Sequence, residues 1–223
     1  MGRRRSSSAT VWAVLRKECR SEWRTRYGIN AALLFSLTTL TAVSFAAGRL
    51  GDRTDLVSAL LWIVLLFASL ASLSHAFVRE VEGRTLTLLR LVASPTEIAL
   101  GKLLFNLLFI AVIEALTVPL LLVLLGAPAP EWGPFLGLLA LGGAALAACS
   151  TLLGALIAQT RGRGALFAGI SLPLLLPVLA VAVAGTREQW VGSFPADELK
   201  LLGAYGAGVL GASLLLYDHL WED

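Results

Sequence analysis

The sequence predicts an all-α polytopic membrane protein: six transmembrane helices, an N-terminal interfacial amphipathic helix, and both termini cytoplasmic. Three observations carry this reading. Of 223 residues, 57% are hydrophobic and 15% charged, whereas a soluble domain is about one quarter charged. Too little polar surface exists to cover a water-soluble globule. Six apolar runs approach or exceed the roughly 20 residues a helix needs to cross the hydrocarbon core. With the N-terminus inside, fourteen of the eighteen Lys and Arg fall in cytoplasmic segments, the bias that orients membrane proteins. The same composition excludes a cytosolic enzyme, a disordered chain and a disulfide scaffold. The net charge is only +3, which says little by itself; no nucleic-acid partner is expected.

Residues 1–28 form the surface segment. It is basic but lacks a short apolar core followed by a small-residue cleavage site, so it is expected to be retained. At about 100° per residue, Trp12, Leu15, Cys19, Trp23 and Tyr27 share one stripe. Lys17, Arg20 and Arg24 lie to one side of it, Glu18 and Glu22 to the other. Such a helix rests in the interface with its arginines against anionic headgroups. It is either a topogenic anchor or a docking surface shared with a cytoplasmic partner.

The spans are expected at 29–47, 56–77, 98–125, 135–158, 165–184 and 199–217. Arg49, Asp52, Arg53 and Asp55 separate the first two, and three prolines with Glu131 make the turn before the fourth. Between the second and third spans lies a polar loop, 79–97, with three arginines and three glutamates. From Gly83 onward, Leu86, Leu88, Leu89 and Leu91 interleave with Arg84, Thr87 and Arg90. That pattern makes a short amphipathic helix, which Ser94–Pro95 ends because the residue before a proline is pushed out of the helical region. Charged and lying between two spans, it is either a lever for a soluble machine or a solvated, headgroup-facing loop.

Within the spans, Gly133/Gly137, Gly143/Ala147 and Gly154/Ala158 in the fourth, and Gly203, Ala207 and Gly211 in the sixth, repeat at four-residue spacing. Such residues let helix backbones approach closely, within one chain or between two. Pro173 and Pro177 each delete a backbone hydrogen bond in the fifth span, making a hinge, a cavity wall or a static kink. Glu114 lies mid-span, where an ionisable group costs about 2.5–3.5 kcal/mol on insertion scales. With Lys102, Asn106 and Thr117 it forms a polar stripe; a protonated Glu114 bonded to Asn106 or to Thr or Ser neighbours is the structural reading. Lys102 is about 18 Å away along the helix, too far to pair with it. His75, near the end of the second span, is expected to form hydrogen bonds near the interface. Cys19 and Cys149 have no CxxC partner or His at ligand spacing, and are expected to bind no metal.

Arg79–Glu80, Gly83-x-Thr85, the leucine-bearing helix, Ser94–Pro95 and then Gly101–Lys102–Leu103 resemble the cytoplasmic loop of type-2 ABC exporter permeases. Other features narrow the resemblance to the haem-exporter protein B (CcmB) family of cytochrome c maturation. These are Leu15–Arg16–Lys17–Glu18 with Glu22 and Arg24, then Phe35, then Arg161–Gly162–Arg163–Gly164 feeding Leu172–Pro173–Leu174–Leu175–Leu176–Pro177. Six spans in about 220 residues with no fused ATPase agree with it.

The resemblance implies that residues 1–223 form a single transmembrane permease domain of the bacterial inner membrane. Its partners would be a dimeric ABC ATPase, a second permease copy and further haem-handling membrane subunits. The sequence itself has no GxxxxGK[ST] with which to cradle a nucleotide's phosphates, so ATP is expected on the partner and no catalytic residue on this chain. Arg79, Glu80, Glu82, Gly83, Arg84 and Thr85 would be the coupling residues, with Leu86 and Leu89 filling a groove on the ATPase. Haem would be the transported or partner-bound ligand. No Cys-x-x-Cys-His is present for its covalent attachment. A type-2 permease for a drug, lipid or glycan shares the same loop and is the alternative.

Overall fold

The computed structural model describes residues 7–82, 94–158 and 163–219, with side chains outside 71–82, 95, 155, 157–158, 163–168, 170 and 217–219. Among the described residues the regular structure is entirely helical: α1 (Ser7–Thr25), α2 (Tyr27–Ala47), α3 (Thr54–Glu82), α4 (Pro95–Leu125), α5 (Trp132–Ala158), α6 (Arg163–Trp190) and α7 (Ala196–His219). Five of them, α2 and α4 to α7, contain stretches long and apolar enough to cross a membrane, and α3 holds a shorter apolar stretch, Thr54–Leu70. The fold is that of a polytopic membrane protein.

The helices overrun the expected spans, and local chemistry explains where. α3 continues five residues past 77, to Glu82. α4 starts at Pro95 rather than 98 because Ser94 caps it. The Ser94 hydroxyl accepts from the Glu97 N–H at 3.4 Å, and the Glu97 carboxylate accepts from the Ser94 N–H at 3.0 Å. Proline at the first helical position has no N–H to leave unsatisfied. Ser94–Pro95 therefore opens a helix; the short amphipathic helix expected before it lies outside the described residues. α6 extends past 184 to Trp190 because Thr186 and Gln189, though polar, are buried against the bundle.

α5 is the central helix. In its apolar stretch 72% of residues are buried, against 17% in those of α2 and α7. It packs against α3, α4, α6 and α7, while α2 lies on α3 and α4, and α1 lies on the start of α4. The small residues of α5 set these approaches. The Trp62 ring of α3 occupies the space beside Gly142 where a Cβ would stand, and its indole N–H donates to the Thr186 hydroxyl of α6 at 2.8 Å. On α7 the close contact is made by Gly206 against Ala145, not by the Gly203/Ala207/Gly211 stripe. Ala207 and Gly211 face outward.

One end of the bundle is tied by backbone bonds. The chain after α2 folds over the end of α4, where Leu50 N–H donates to the Leu125 carbonyl at 2.8 Å and the Ser44 hydroxyl to the Leu124 carbonyl at 2.9 Å. These satisfy carbonyls that a helix terminus leaves without partners. Gly126 ends α4 in the left-handed region, φ 62°, with the Arg49 guanidinium where a side chain at that position would lie. At the same end Phe135 packs on Trp190, whose indole donates to the Pro128 carbonyl at 3.2 Å.

Candidate functional site

The opposite end of the bundle carries α1, the start of α2 and the start of α4, with the expected interfacial residues on α1 and Ser94 at the head of α4. α1 turns Val14, Glu18 and Glu22 inward and leaves Trp12 and Trp23 65% and 73% exposed. Trp12 and Trp23 of the expected stripe thus lie outside the protein core. Leu15 and Cys19 at its edge are partly buried, and Tyr27 belongs to α2. The register is set by a close approach: a Cβ on Gly101 would stand 2.6 Å from Val14 Cβ, so only glycine lets α1 lie against α4 there. That is the Gly of Gly101–Lys102–Leu103.

Both buried carboxylates of α1 have work at this junction. Glu18 pairs with Lys17 at 2.8 Å. Glu22 reaches across the break between the helices, where its Oε1 accepts from the Ile29 N–H at 3.0 Å. It thus caps α2, favourable for an anion at the positive end of a helix dipole. Arg26, with φ 51°, makes the turn, and its guanidinium stacks over Trp23 at 5.3 Å. Burial, helped by the charge of Glu18, raises the Cys19 thiol above its usual range, so less of the reactive thiolate is present at neutral pH.

The intramembrane polar residues assort differently from the single stripe expected on α4. Asn106 donates to the Thr151 hydroxyl of α5 at 3.0 Å, and Thr117 to the Ser36 hydroxyl of α2 at 3.2 Å. Glu114 is 9% exposed and faces α5. A Cβ on Gly143 would stand 2.6 Å from its Oε1, which has no hydrogen-bond partner among the described residues. The pairing of Glu114 with Asn106 is not formed, since Asn106 is two turns away and committed to Thr151. Lys102 is half-buried near the start of α4. Pro173 and Pro177 lie inside a continuous α6 and are exposed. Between them the Leu174 carbonyl accepts from the Tyr205 hydroxyl of α7 at 2.7 Å.

Of the expected coupling residues, Gly83, Arg84, Thr85, Leu86 and Leu89 lie outside the described residues. Arg79, Glu80 and Glu82 fall in the last turns of α3 and Pro95 in the first of α4; their side chains, and that of His75, are likewise outside the description. Ser94 is placed, as the cap of α4. Sequence reasoning missed the inward turn of Glu18 and Glu22 and the pairing of Trp62 with Thr186. Gly101 and Gly142, glycines inside apolar runs, were the available signals of close approach.

Comparison with known proteins fits this architecture. Residues 9–216 match the family model for the CcmB protein. A heme exporter protein B of Rhodobacter capsulatus is 32% identical over 206 residues, 92% of this chain and 93% of the relative. Another of the same name, from Bradyrhizobium diazoefficiens, is 32% identical over 183 residues, 81% of this chain and 82% of the relative. A match this long, spanning α1 through α7, places the chain in the CcmB protein family.

Proposed function

We propose that this chain is the membrane permease subunit of an ABC transporter complex that exports or delivers haem for c-type cytochrome biogenesis. The observation that carries the proposal is the near full-length similarity to two proteins named heme exporter protein B, together with the CcmB family match. The chain sits in the bacterial inner membrane as one permease domain of six spans, with both termini cytoplasmic. The Lys and Arg distribution supports that orientation. It places α1 and the start of α4 on the cytoplasmic face.

The partners are a dimeric ABC ATPase, a second copy of this chain and further haem-handling membrane subunits. The contact with the ATPase is the 79–97 loop, through Arg79, Glu80, Glu82, Gly83, Arg84, Thr85, Leu86 and Leu89. Two features support a mechanical role. α3 carries its helix directly into the loop, to Glu82, and the capping box at Ser94 starts α4 immediately after it. Closure of the ATPase dimer then displaces two helices that both pack on α5. The chain contributes motion rather than catalysis.

Haem staining of membrane proteins after deletion of the gene tests this reading. Covalently haem-bearing bands are expected to vanish, to return with the wild-type gene, and not to return with Glu82→Lys although that variant reaches the membrane. Unchanged c-type cytochromes would overturn the haem assignment and leave a permease of a drug, lipid or glycan as the reading.

A further inference from the structure

The fold sorts the charges of α1. Glu18 and Glu22 are turned into the protein, whereas Arg16, Arg20 and Arg24 are exposed. Spaced four residues apart, the three arginines rise about 6 Å per step and form one stripe about 12 Å long. Among the described residues no carboxylate pairs with any of them. A shallow groove follows the stripe, floored by the small side chains of Ala9, Ala13 and Ser21. Along one edge stand the exposed indoles of Trp12 and Trp23, three turns apart on the same helix face.

We propose that this face of α1 is a binding site for anionic phospholipid headgroups, independent of what the protein transports. Guanidinium groups hold phosphate by charge-assisted, bidentate hydrogen bonds. Because both acids of the helix face inward, the outer stripe is cationic without an offsetting carboxylate. The indoles decide for a membrane over an acidic protein surface. Tryptophan is favoured where one side meets hydrocarbon and the other meets water, and a soluble partner bound by the arginines alone would leave two in water. Position agrees. α1 lies against Gly101, in the second turn of α4, and passes through one residue, Arg26, into α2. The outer side chains of α2, Leu34, Leu37 and Phe45, are exposed apolar groups of a membrane-crossing helix.

The test uses the full chain purified with its partner subunits and reconstituted in nanodiscs containing phosphatidylglycerol and phosphatidylcholine. Retained lipid is counted by native mass spectrometry. Wild type is expected to retain phosphatidylglycerol preferentially. R16Q/R20Q/R24Q is expected to lose roughly a hundredfold of that preference, while R53Q/R187Q/K200Q, with the same change in net charge at the other end of the bundle, keeps it. Equal preference in all three proteins overturns the proposal. So does a triple α1 variant that keeps the lipid preference but sheds a partner subunit, which would assign the face to a protein. A second measurement needs no arginine variant. Brominated phosphatidylglycerol should quench the tryptophan fluorescence more than brominated phosphatidylcholine, and the excess should disappear in high salt and in W12F/W23F. Equal quenching by the two lipids overturns the proposal on the unaltered stripe.

Discussion

Gly142 and Trp62 are a matched pair. The indole fills the volume that any side chain at 142 would need, and its N–H is held by Thr186. Gly142→Ala must therefore displace a rigid ring in the packed centre of the bundle and stretch a buried hydrogen bond. Overpacking of this kind costs about 1–3 kcal/mol, read as a lower melting temperature of the detergent-purified protein. Trp62→Phe removes the ring that collides, so the double variant should be less destabilised than the two single effects summed. Additive losses would show that the pair is not coupled. Cys19 gives a second outcome at this scale. Its thiol is held above the usual range by burial and by Glu18, so less of the reactive thiolate exists at any given pH. Maleimide should label Cys19 more slowly than an exposed thiol at neutral pH, and the rate should still be climbing with pH where an ordinary thiol has levelled off. A neutral-pH rate equal to that of a free thiol would contradict the burial. Neither partner of Trp62 was legible in the sequence, because a glycine in an apolar run announces a close approach without saying to what.

Among the elements, α1 is the one whose existence the sequence pattern captured and whose protein-facing side it did not name. Periodicity found an amphipathic helix from the alternation of Trp, Arg and Glu and set its aromatic stripe toward the membrane interface, but it did not show which side packs on the bundle. Hydrophobicity alone cannot rank an indole against a carboxylate that has a helix N-terminus and a lysine waiting for it. Glu22 is buried because the Ile29 N–H needs an acceptor, a tertiary fact invisible to a 3.6-residue period. The span boundaries behaved the same way. Apolar runs located the helix centres, while their ends were decided by the Ser94 capping box and by burial of Thr186 and Gln189. The α1–α2 junction predicts a ranked series. Glu22→Ala removes the cap and should cost about 1 kcal/mol, while Glu22→Gln, which keeps an oxygen acceptor, should cost less. Gly28→Ala places a Cβ 3.0 Å from the mobile end of Glu22 and should be the mildest. Melting temperatures in that order support the cap; a Gly28→Ala loss exceeding that of Glu22→Ala would mean the junction is held by backbone packing instead.

For the whole molecule, the helix ends that meet show which connections share an end of the bundle. Leu50 bonds to Leu125, so α2 and α4 finish at the same end. Val14 meets Gly101, so α1 and the start of α4 share the other. α3 begins just after α2 ends, at the first of these ends, and the chain must reach the second to enter α4. Its 29 residues rise about 44 Å, more than the roughly 30 Å of a bilayer core, although its described apolar part is short. The six crossings proposed agree with that geometry, and their even parity would return the C-terminus to the side of the N-terminus. The Lys and Arg bias supports the cytoplasm as that side. In a background lacking Cys19 and Cys149, single cysteines at Asp52, Glu131 and Ser193 should react with a membrane-impermeant maleimide in cells whose outer membrane alone is permeable. A cysteine at Ser8 should react only after the inner membrane is opened. Labelling of Ser8 from outside with the three loops protected would invert the orientation. Labelling of Ser8 together with Glu131 would require an even number of crossings between them, making α3 a helix that does not traverse the bilayer and removing the mechanical link from the 79–97 loop to the far end of the bundle.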